Sequence, residues 1–214
     1  METARIAELL APFTGEETLA PRLLEALQRY LDLLLRWNAR VNLTAVRDPE
    51  KIVTRHFGES LFAGRVLLRA GREGAAAALT LADVGSGAGF PGIPMKLFAP
   101  GIELTLIESH NKKAVFLREV VRSLGLDRAQ VFCGRAEHWT KTADLVTLRA
   151  VEQFERALPV AAKLVAEDGR LGLLIGARQD SATQQVLGGN WRWEESVSVP
   201  GTEARVVIAA RRTS

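Results

Sequence analysis

The segment Leu81-Ala82-Asp83-Val84-Gly85-Ser86-Gly87-Ala88-Gly89-Phe90-Pro91-Gly92 joins a short apolar run to a loop in which three glycines alternate with other residues. Glycine has no side chain, so such a loop lets the backbone approach a ligand closely. The next apolar run ends at Glu108, nineteen residues after Gly89, where a carboxylate can accept hydrogen bonds from both hydroxyls of a ribose. The sequence therefore predicts a nucleoside-containing ligand, approached by Gly85 and Gly87 and held by Glu108.

The spacing of the glycines separates two classes of cofactor. A dinucleotide loop reads Gly-x-Gly-x-x-Gly and places the pyrophosphate on a helix N-terminus. Here the spacing is Gly-x-Gly-x-Gly, and Pro91 and Pro94 remove two N–H groups that a pyrophosphate would use. The loop resembles motif I of class I S-adenosylmethionine methyltransferases. A nicotinamide-dependent oxidoreductase on a similar fold remains the alternative.

Beyond this loop, short apolar runs alternate with amphipathic helical patterns. That alternation predicts an α/β fold with a doubly wound, mostly parallel, Rossmann-like sheet. The last two strands are joined by Pro200-Gly201-Thr202 alone, so we expect an antiparallel final hairpin. The predicted strands are Thr80–Val84, Glu103–Ile107, Ala129–Phe132, Leu145–Leu148, Arg170–Ile175, Glu195–Val199 and Arg205–Ala210, and the predicted helices are Ile93–Phe98, Asn111–Leu124, Phe154–Val165 and Ser181–Leu187.

The first part of the chain has a helical rather than an alternating pattern. Leucines at spacings of three and four predict a helix over Pro21–Trp37. Asp48 and Pro49 mark the start of a second helix, and Gly58 is expected to interrupt it. The Gly- and Ala-rich stretch Ala70–Ala78 is typical of a connection. We therefore expect an N-terminal helical extension, residues 1–74, that packs on a methyltransferase domain, residues 75–214.

Composition favours a folded, cytoplasmic protein. The 214 residues are 47% hydrophobic and 25% charged, close to the globular average. No apolar stretch approaches the ~20 residues of a membrane span, and charges interrupt Met1–Leu10, where a secretory signal would be apolar. The single cysteine, Cys133, can form neither an internal disulfide nor a multi-cysteine zinc site. No metal site and no membrane contact are expected, and a monomer is predicted.

Two basic clusters give a functional hint. The net charge is +3 and the pI is about 9.3, which permits a nucleic-acid partner. Solvated helix faces are the alternative interpretation of both clusters. The clusters comprise Arg36, Arg40, Arg47, Lys51 and Arg55 before His56, and Lys112, Lys113, Arg118 and Arg122 later in the chain.

Over most of its length the chain resembles one family, the RsmG or glucose-inhibited division protein B family of bacterial small-subunit rRNA guanine-N7 methyltransferases. This resemblance implies S-adenosylmethionine as cofactor and 16S rRNA, or the small ribosomal subunit, as partner, with one guanine of the helix 18 loop methylated. The blocks that carry it are Arg36-Trp37-Asn38, Val41 to Asp48, Arg55 to Leu61, Asp83 to Pro94, Ile107-Glu108-Ser109, Lys112-Lys113, Phe116-Leu117, Gly134 to Glu137 and Arg149-Ala150-Val151.

The same resemblance implies the positions of the site residues. Cofactor contacts fall on Gly85, Phe90, Ala136, Glu137 and Arg149, where Arg149 can meet the methionine carboxylate or an RNA phosphate. His56 and Arg149 are the candidates for positioning the reactants. The predicted RNA-binding residues are Arg36, Asn38, Arg47, Arg55, His56, Lys112, Lys113 and Arg118.

Motifs that the chain lacks narrow the chemistry. Thr147-Leu148-Arg149-Ala150 stands where enzymes that methylate a base amine have an Asn/Asp-Pro-Pro-aromatic loop. Cys133 has no preceding proline and is interpreted as a small buried residue, not a nucleophile. Guanine N7 carries an unprotonated lone pair, so its methylation needs no general base. We therefore interpret His56 as an RNA contact or a structural hydrogen bond. A methyltransferase for small molecules or protein, and a non-catalytic ribosome-associated factor, remain the alternatives.

Overall fold

The computed structural model describes residues 1–69, 78–149 and 154–213. The helices are α1 (Thr3–Thr14), α2 (Pro21–Asn38), α3 (Pro49–Ile52), α4 (Glu59–Arg69), α5 (Gly92–Phe98), α6 (Asn111–Ser123), α7 (Phe154–Lys163) and α8 (Asp180–Leu187). The strands are β1 (Thr80–Val84), β2 (Glu103–Glu108), β3 (Ala129–Cys133), β4 (Ala143–Arg149), β5 (Val165–Gly176), β6 (Trp191–Trp193), β7 (Val197–Ser198) and β8 (Arg205–Arg212).

The strands form one sheet in the order β3-β2-β1-β4-β5-β8-β6, with β7 also pairing with β8. Strands β1 to β5 pair in parallel, whereas β8 is antiparallel to β5, β6 and β7. The predicted α/β class and the antiparallel final hairpin are confirmed. Strand order reverses between β1 and β4, and in open sheets ligands bind beside such a switch point at the carboxyl ends of the strands.

Helices cover both faces of this sheet. On one face α2, α4, α5 and α6 bury an aromatic and aliphatic cluster that includes Tyr30, Phe57 and Phe116. On the other face a second buried cluster joins β4 and β5 to α7. Within the described ranges, no helix combines the length and apolar character that crossing a membrane requires. The N-terminal helices are thus part of the layer that backs the switch point.

The second predicted helix begins as expected but is not interrupted. Asp48 caps it by accepting hydrogen bonds from the N–H groups of Glu50 and Lys51, and Pro49 takes the first position. The chain then forms a π-helical turn, Val53–Gly58, and continues as α4, so the expected interruption at Gly58 is wrong. A Cβ at Gly58 would lie 2.5 Å from Cδ2 of Phe13. The glycine therefore serves close packing of α1 against this helix.

Three further features differ from the sequence-based expectations. Helix α1, which packs on α2 and the π-helical turn, and the three-residue strand β6 were not predicted. The predicted strand Glu195–Val199 shortens to β7. Cys133 is exposed rather than buried, because β3 is an edge strand of the sheet. Most of the connection Ala70–Ala78, including the domain boundary at residue 74, lies outside the described residues.

Candidate active site

The glycine loop follows β1 directly and turns back through left-handed backbone conformations. Gly85, Gly87 and Gly89 have φ values of 67°, 57° and 93°, which L side chains rarely adopt. A Cβ at Gly89 would lie 2.5 Å from both the Tyr30 hydroxyl oxygen and Cδ1 of Ile93, whereas at Gly87 the nearest atom is 3.8 Å away. Gly89 therefore packs against the protein, and Gly87 leaves space beside the loop.

Glu108 ends β2 next to this loop and is held by two backbone groups. Its Oε2 accepts a hydrogen bond from the Gly87 N–H at 2.8 Å, and its Oε1 accepts one from the His110 N–H at 2.7 Å. The residue is 6% exposed. Each carboxylate oxygen keeps a further lone pair. The structure thus brings Gly87 and Glu108 together and fixes the Glu108 carboxylate in position to accept from a donor such as a ribose hydroxyl.

Asp83, at the base of the loop, was quoted in the motif but received no role from sequence reasoning. Its side chain is fully buried and accepts hydrogen bonds from the Thr147 hydroxyl at 2.8 Å and the Gly92 N–H at 3.2 Å. Burial raises the pKa of Asp83 to about 6, and these hydrogen bonds oppose the shift. The carboxylate therefore ties the loop and the start of α5 to β4.

Tyr30 connects the N-terminal helices to the loop. Its hydroxyl donates a hydrogen bond to the Ala88 carbonyl, and its ring stacks on Phe57 and Phe90 at centroid distances of 5.2 and 5.5 Å. Burial raises the pKa of Tyr30, so it acts as a donor. Sequence reasoning missed Tyr30; its one signal is that it is the single tyrosine of the chain and lies within the leucine stripe of α2.

His56 lies over Phe90. The two rings stack with centroids 4.8 Å apart. His56 Nδ1 is 3.3 Å from an Arg149 guanidinium nitrogen, and Nε2 is 2.8 Å from the Thr44 hydroxyl. Arginine can only donate, so Nδ1 accepts and Nε2 carries the proton. Burial and the charges of Arg149 and Arg55 lower the pKa of His56 to about 3. The imidazole is therefore neutral in the physiological range.

Arg149, at the carboxyl end of β4, is engaged from several directions. Its guanidinium donates hydrogen bonds to Glu59 Oε2 at 2.9 Å and to the Arg55 carbonyl at 2.6 Å. Its Cζ lies 6.0 Å from the centroid of the Phe90 ring. Burial lowers the pKa of Arg149, and Glu59 opposes that shift. The structure therefore gathers Arg149, His56 and Phe90 into one group beside the glycine loop.

Ala136 and Glu137 follow β3 in a short 3₁₀ turn, Ala136–His138. They lie at the same edge of the sheet as Glu108, because the β2–β3 register pairs Glu108 with Cys133. Glu137 is exposed and forms an ion pair with Arg135 at 2.9 Å. Both positions, which the family resemblance implies as cofactor contacts, thus border the carboxyl end of β2.

The predicted RNA-binding residues differ in their exposure and in the contacts that they already make. Asn38 is 5% exposed, and its amide oxygen accepts hydrogen bonds from the N–H groups of Leu43 and Thr44. Its geometry favours organisation of the following loop over the predicted RNA contact. Arg47 is exposed but donates to the Asn38 carbonyl at 2.6 Å. The exposed cations are Arg36, Arg55, Lys112 and Arg118, and Lys113 is half-buried.

The second basic cluster lies on α6, whereas the first extends from the end of α2 at Arg36 to the π-helical turn at Arg55. Trp37, near the end of α2, donates a hydrogen bond from Nε1 to Oε2 of Glu119 on α6 at 3.0 Å. Its indole also packs edge-on against Phe116. These contacts pack the end of α2 against α6, and the Trp37 side chain is half-buried.

The sequence matches a known family along most of its length. The family model described as GidB, rRNA small subunit methyltransferase G, matches residues 23–192. Ribosomal RNA small subunit methyltransferase G of Stenotrophomonas maltophilia (strain K279a) is 39% identical over 202 residues, which cover 92% of this chain and 89% of that protein. Its counterpart from Xanthomonas campestris pv. campestris (strain B100) is 40% identical over 183 residues, 83% of this chain and 81% of that protein.

Solved structures of methyltransferases share the fold at low sequence identity. Magnesium protoporphyrin IX methyltransferase from Synechocystis PCC 6803, solved with bound SAM, has a TM-score of 0.63 and 13% identity, covering 86% of this chain and 97% of that one. The ribosomal protein L11 methylase of Lactobacillus delbrueckii subsp. bulgaricus has a TM-score of 0.60 and 16% identity, covering 73% of this chain and 80% of that one. The fold is that of class I S-adenosylmethionine methyltransferases.

Proposed function

This chain belongs to the family of ribosomal RNA small subunit methyltransferase G, and from that premise we propose that it transfers the methyl group of S-adenosylmethionine to N7 of one guanine in the helix 18 loop of 16S rRNA. The reaction class agrees with the fold of its structural neighbours. The residues that bind cofactor and RNA, and the order of events at the site, are inferred from the geometry described above.

The observation that carries the cofactor assignment is the buried carboxylate of Glu108 against the open side of the glycine loop. Gly87 has no atom closer than 3.8 Å to where a Cβ would stand, so a ligand can approach the backbone there. Glu108 offers two fixed acceptors for the ribose hydroxyls. The neighbouring turn at Ala136 and Glu137 borders the adenine. The Glu108 acceptors and the open side of the glycine loop therefore fit S-adenosylmethionine, which supplies an electrophilic methyl group when bound.

The remaining residues of the site position the reactants rather than move a proton. Guanine N7 attacks with its own lone pair, so catalysis reduces to holding the base in line with the methyl–sulfur bond. His56 is neutral, and its ring nitrogens already engage Arg149 and Thr44. Its stacking fixes Phe90, which in turn walls the loop. We assign His56 and Arg149 to positioning.

RNA is the substrate class that the surface favours. Exposed cations lie near the end of α2 (Arg36) and on α6 (Lys112 and Arg118), and neither a small molecule nor a folded protein requires them. The target guanine has to be an unstacked loop base, because the N7 edge of A-form RNA lines a deep, narrow groove. The helical extension, residues 1–74, would present Arg36 and Arg55, and the methyltransferase domain, residues 75–214, would present Lys112 and Arg118 and bind the cofactor. We further propose that the protein acts as a cytoplasmic monomer.

Chemical mapping of 16S rRNA tests the proposal directly. Purified protein, S-adenosylmethionine and 16S rRNA or small subunits from cells that lack the gene are incubated, and the RNA is cleaved with borohydride and aniline. That chemistry breaks the chain at N7-methylguanine, so primer extension should show one new stop in the helix 18 loop. A stop elsewhere, or none with either substrate, contradicts the proposed target.

A matched pair of variants ties the signal to the site. Glu108→Ala should abolish or strongly reduce the stop, whereas Glu103→Ala, at the opposite end of the same strand, should leave it unchanged. Glu103 is half-exposed and pairs with Arg128 at 2.6 Å. Titration with a nicotinamide dinucleotide separates the oxidoreductase alternative, because that alternative requires binding of the dinucleotide and no methyl transfer.

A further inference from the structure

A cavity of about 150 Å³ opens beside Arg149, on the side away from the glycine loop. Its walls come from the carboxyl end of β5, the start of β8 and the helical segment that carries Arg55 and Glu59. The apolar part of the wall includes Phe154, Leu174 and Val199. Because Arg149 Cζ also lies 6.0 Å from the Phe90 ring centroid, Arg149 lies between the cavity and the Phe90 wall of the glycine loop.

The cavity is strongly cationic. Among the described residues that line it, the ionisable groups are three arginines, Arg55, Arg149 and Arg205, and one carboxylate, Glu59. Glu59 is shared between two of the arginines, with Arg149 Nη2 2.9 Å from Oε2 and Arg205 Nη2 2.7 Å from Oε1. One carboxylate thus neutralises one guanidinium, and two positive charges remain in excess. Excess charge of one sign in a partly closed space favours an anionic ligand.

Arg205 retains donors for such a ligand. Its Nε is buried and has no hydrogen-bond partner within the described part of the chain. The Arg205 side chain is 33% exposed, so it lies between the buried Arg149–Glu59 ion pair and solvent. A guanidinium offers five N–H donors in a planar fork that matches the oxygens of a phosphate. Arg205 lies at the start of β8, outside every motif that the sequence singles out.

We propose that Arg205, with Arg55 and Arg149, forms a binding site for a phosphate group of the RNA strand, next to the target guanine. This inference rests on the proposed function and extends it by naming how the flipped nucleotide is anchored. The phosphate occupies the cavity while the base lies toward Phe90. Anchoring on both sides of the sugar holds N7 in place without a hydrogen bond to N7 itself. A cofactor carboxylate is the competing anion, and the experiment below distinguishes it.

The test is the salt dependence of RNA binding. Binding of undermethylated 16S rRNA and small subunits is measured as a function of salt for wild-type protein, Arg205→Gln and Arg205→Lys. Loss of one contact to single-stranded RNA should reduce the magnitude of the logarithmic salt slope by about 0.7 in Arg205→Gln. RNA affinity should fall about tenfold. Arg205→Lys keeps the charge and should keep the wild-type slope, and the Kd for S-adenosylmethionine should be unchanged in both variants.

Two further variants keep the test decisive. Arg192→Gln is the matched control. Arg192 is exposed and lies on β6 opposite Arg211, a residue at the far end of β8 from Arg205. This variant should bind RNA with the wild-type slope. Arg55→Gln removes a second cation from the cavity without breaking the Glu59 pairs, and should lower the slope if Arg205→Gln does not fold. A wild-type slope in both Arg205→Gln and Arg55→Gln overturns the phosphate site.

The remaining outcomes separate this inference from the proposed function. A raised Kd for S-adenosylmethionine in Arg205→Gln, with unchanged RNA binding, assigns the cavity to the cofactor and overturns the phosphate site. If wild-type protein methylates 16S rRNA while the Arg205 and Arg55 variants bind RNA normally, the phosphate site alone is wrong. If wild-type protein neither binds nor methylates either substrate, the proposed function fails and this inference with it.

Discussion

The backbone N–H of Gly87 donates a hydrogen bond to Oε2 of Glu108 at 2.8 Å, across the end of β1 and β2. The two residues are 21 positions apart in the chain. This contact fixes the carboxylate against the loop whose φ angles only glycine tolerates well. The ribose acceptor and the loop that admits the ligand are therefore one unit, and a change in either should affect cofactor binding.

The first prediction follows from that unit. Glu108→Ala removes both acceptors and leaves the Gly87 and His110 N–H groups without a partner, so the affinity for S-adenosylmethionine should fall by about 1.5–3 kcal/mol, roughly 10- to 150-fold in Kd. Calorimetric titration checks the change. Glu103→Ala, on the same strand but at its other end, is the control. Equal affinity of the two variants would remove Glu108 from the cofactor site.

A second prediction concerns the packing of the loop. Gly89→Ala should lower the free energy of unfolding by about 2–4 kcal/mol, because it combines a left-handed φ of 93° with a Cβ that would stand 2.5 Å from the Tyr30 hydroxyl. Gly101→Ala is the control, since nothing lies within 4 Å of its added Cβ. Urea denaturation of both variants measures the difference. A Gly89→Ala protein as stable as Gly101→Ala contradicts the described packing.

A third prediction tests the link between the helical extension and the loop. Tyr30→Phe keeps the stacked ring but removes the hydrogen bond to the Ala88 carbonyl, so unfolding should become easier by about 1–3 kcal/mol. Because the loop loses an anchor, the Kd for S-adenosylmethionine should also rise. Trp37→Phe removes a hydrogen bond to Glu119 that involves no residue of the glycine loop, and should lower stability without changing cofactor affinity. Unchanged cofactor affinity in Tyr30→Phe would make that hydrogen bond purely structural.

Local sequence patterns predict some of these features, whereas contacts between distant residues are not predicted. The glycine spacing, the Asp48 cap and the alternation of strands and helices depend on neighbouring residues, and the structure confirms the elements they predict. The Tyr30 contact to Ala88 joins residues 58 positions apart, and the Glu59 pair with Arg205 joins two distant elements. Such pairs depend on how the helices pack on the sheet, which no local pattern specifies.

The same reason accounts for the wrong prediction at Cys133 and for the burial of Asn38, which no local pattern indicates. A lone cysteine after an apolar run resembles a core residue, but Cys133 is exposed because β3 has a neighbour on one side only. Asn38 lies among basic residues in the sequence, yet the following loop folds back over its amide. Burial is a property of the sheet order and of loop conformation, and both are decided by the whole chain.

A fourth prediction concerns stability as a function of pH. The pKa of His56 falls from its usual 6.5 to about 3 on folding, so the unfolded chain binds more protons and stability is lost as pH falls from 6.5 toward 3. The pKa of Asp83 rises from 3.8 to about 6, so stability is lost as pH rises from 3.8 toward 6. Each of these two groups changes the free energy of unfolding by at most about 1.4 kcal/mol per pH unit.

Paired variants separate these two opposing contributions. Between pH 4 and 6, His56→Gln should gain stability relative to wild type as the pH falls, and Asp83→Asn should gain it as the pH rises. Urea denaturation at pH 4.5, 5.5 and 7 measures both differences. Parallel pH dependences in wild type and both variants would mean that neither group changes its pKa on folding.

The last prediction concerns the mechanism of methyl transfer. Because guanine N7 has no proton to lose and His56 is neutral with both nitrogens engaged, the transfer step should show no ionisation of an essential base near neutrality. Single-turnover rates at saturating RNA and cofactor, with salt held constant, should be flat from about pH 5.5 to 9 in wild type and in His56→Gln. His56→Gln should lower the rate without changing its pH dependence, since it loses the stacking that holds Phe90. Arg149→Ala should also lower the rate at saturating RNA. A wild-type rate that climbs tenfold per pH unit through the usual histidine range near 6.5, with the climb lost in His56→Gln, would make His56 a general base and the positioning mechanism wrong.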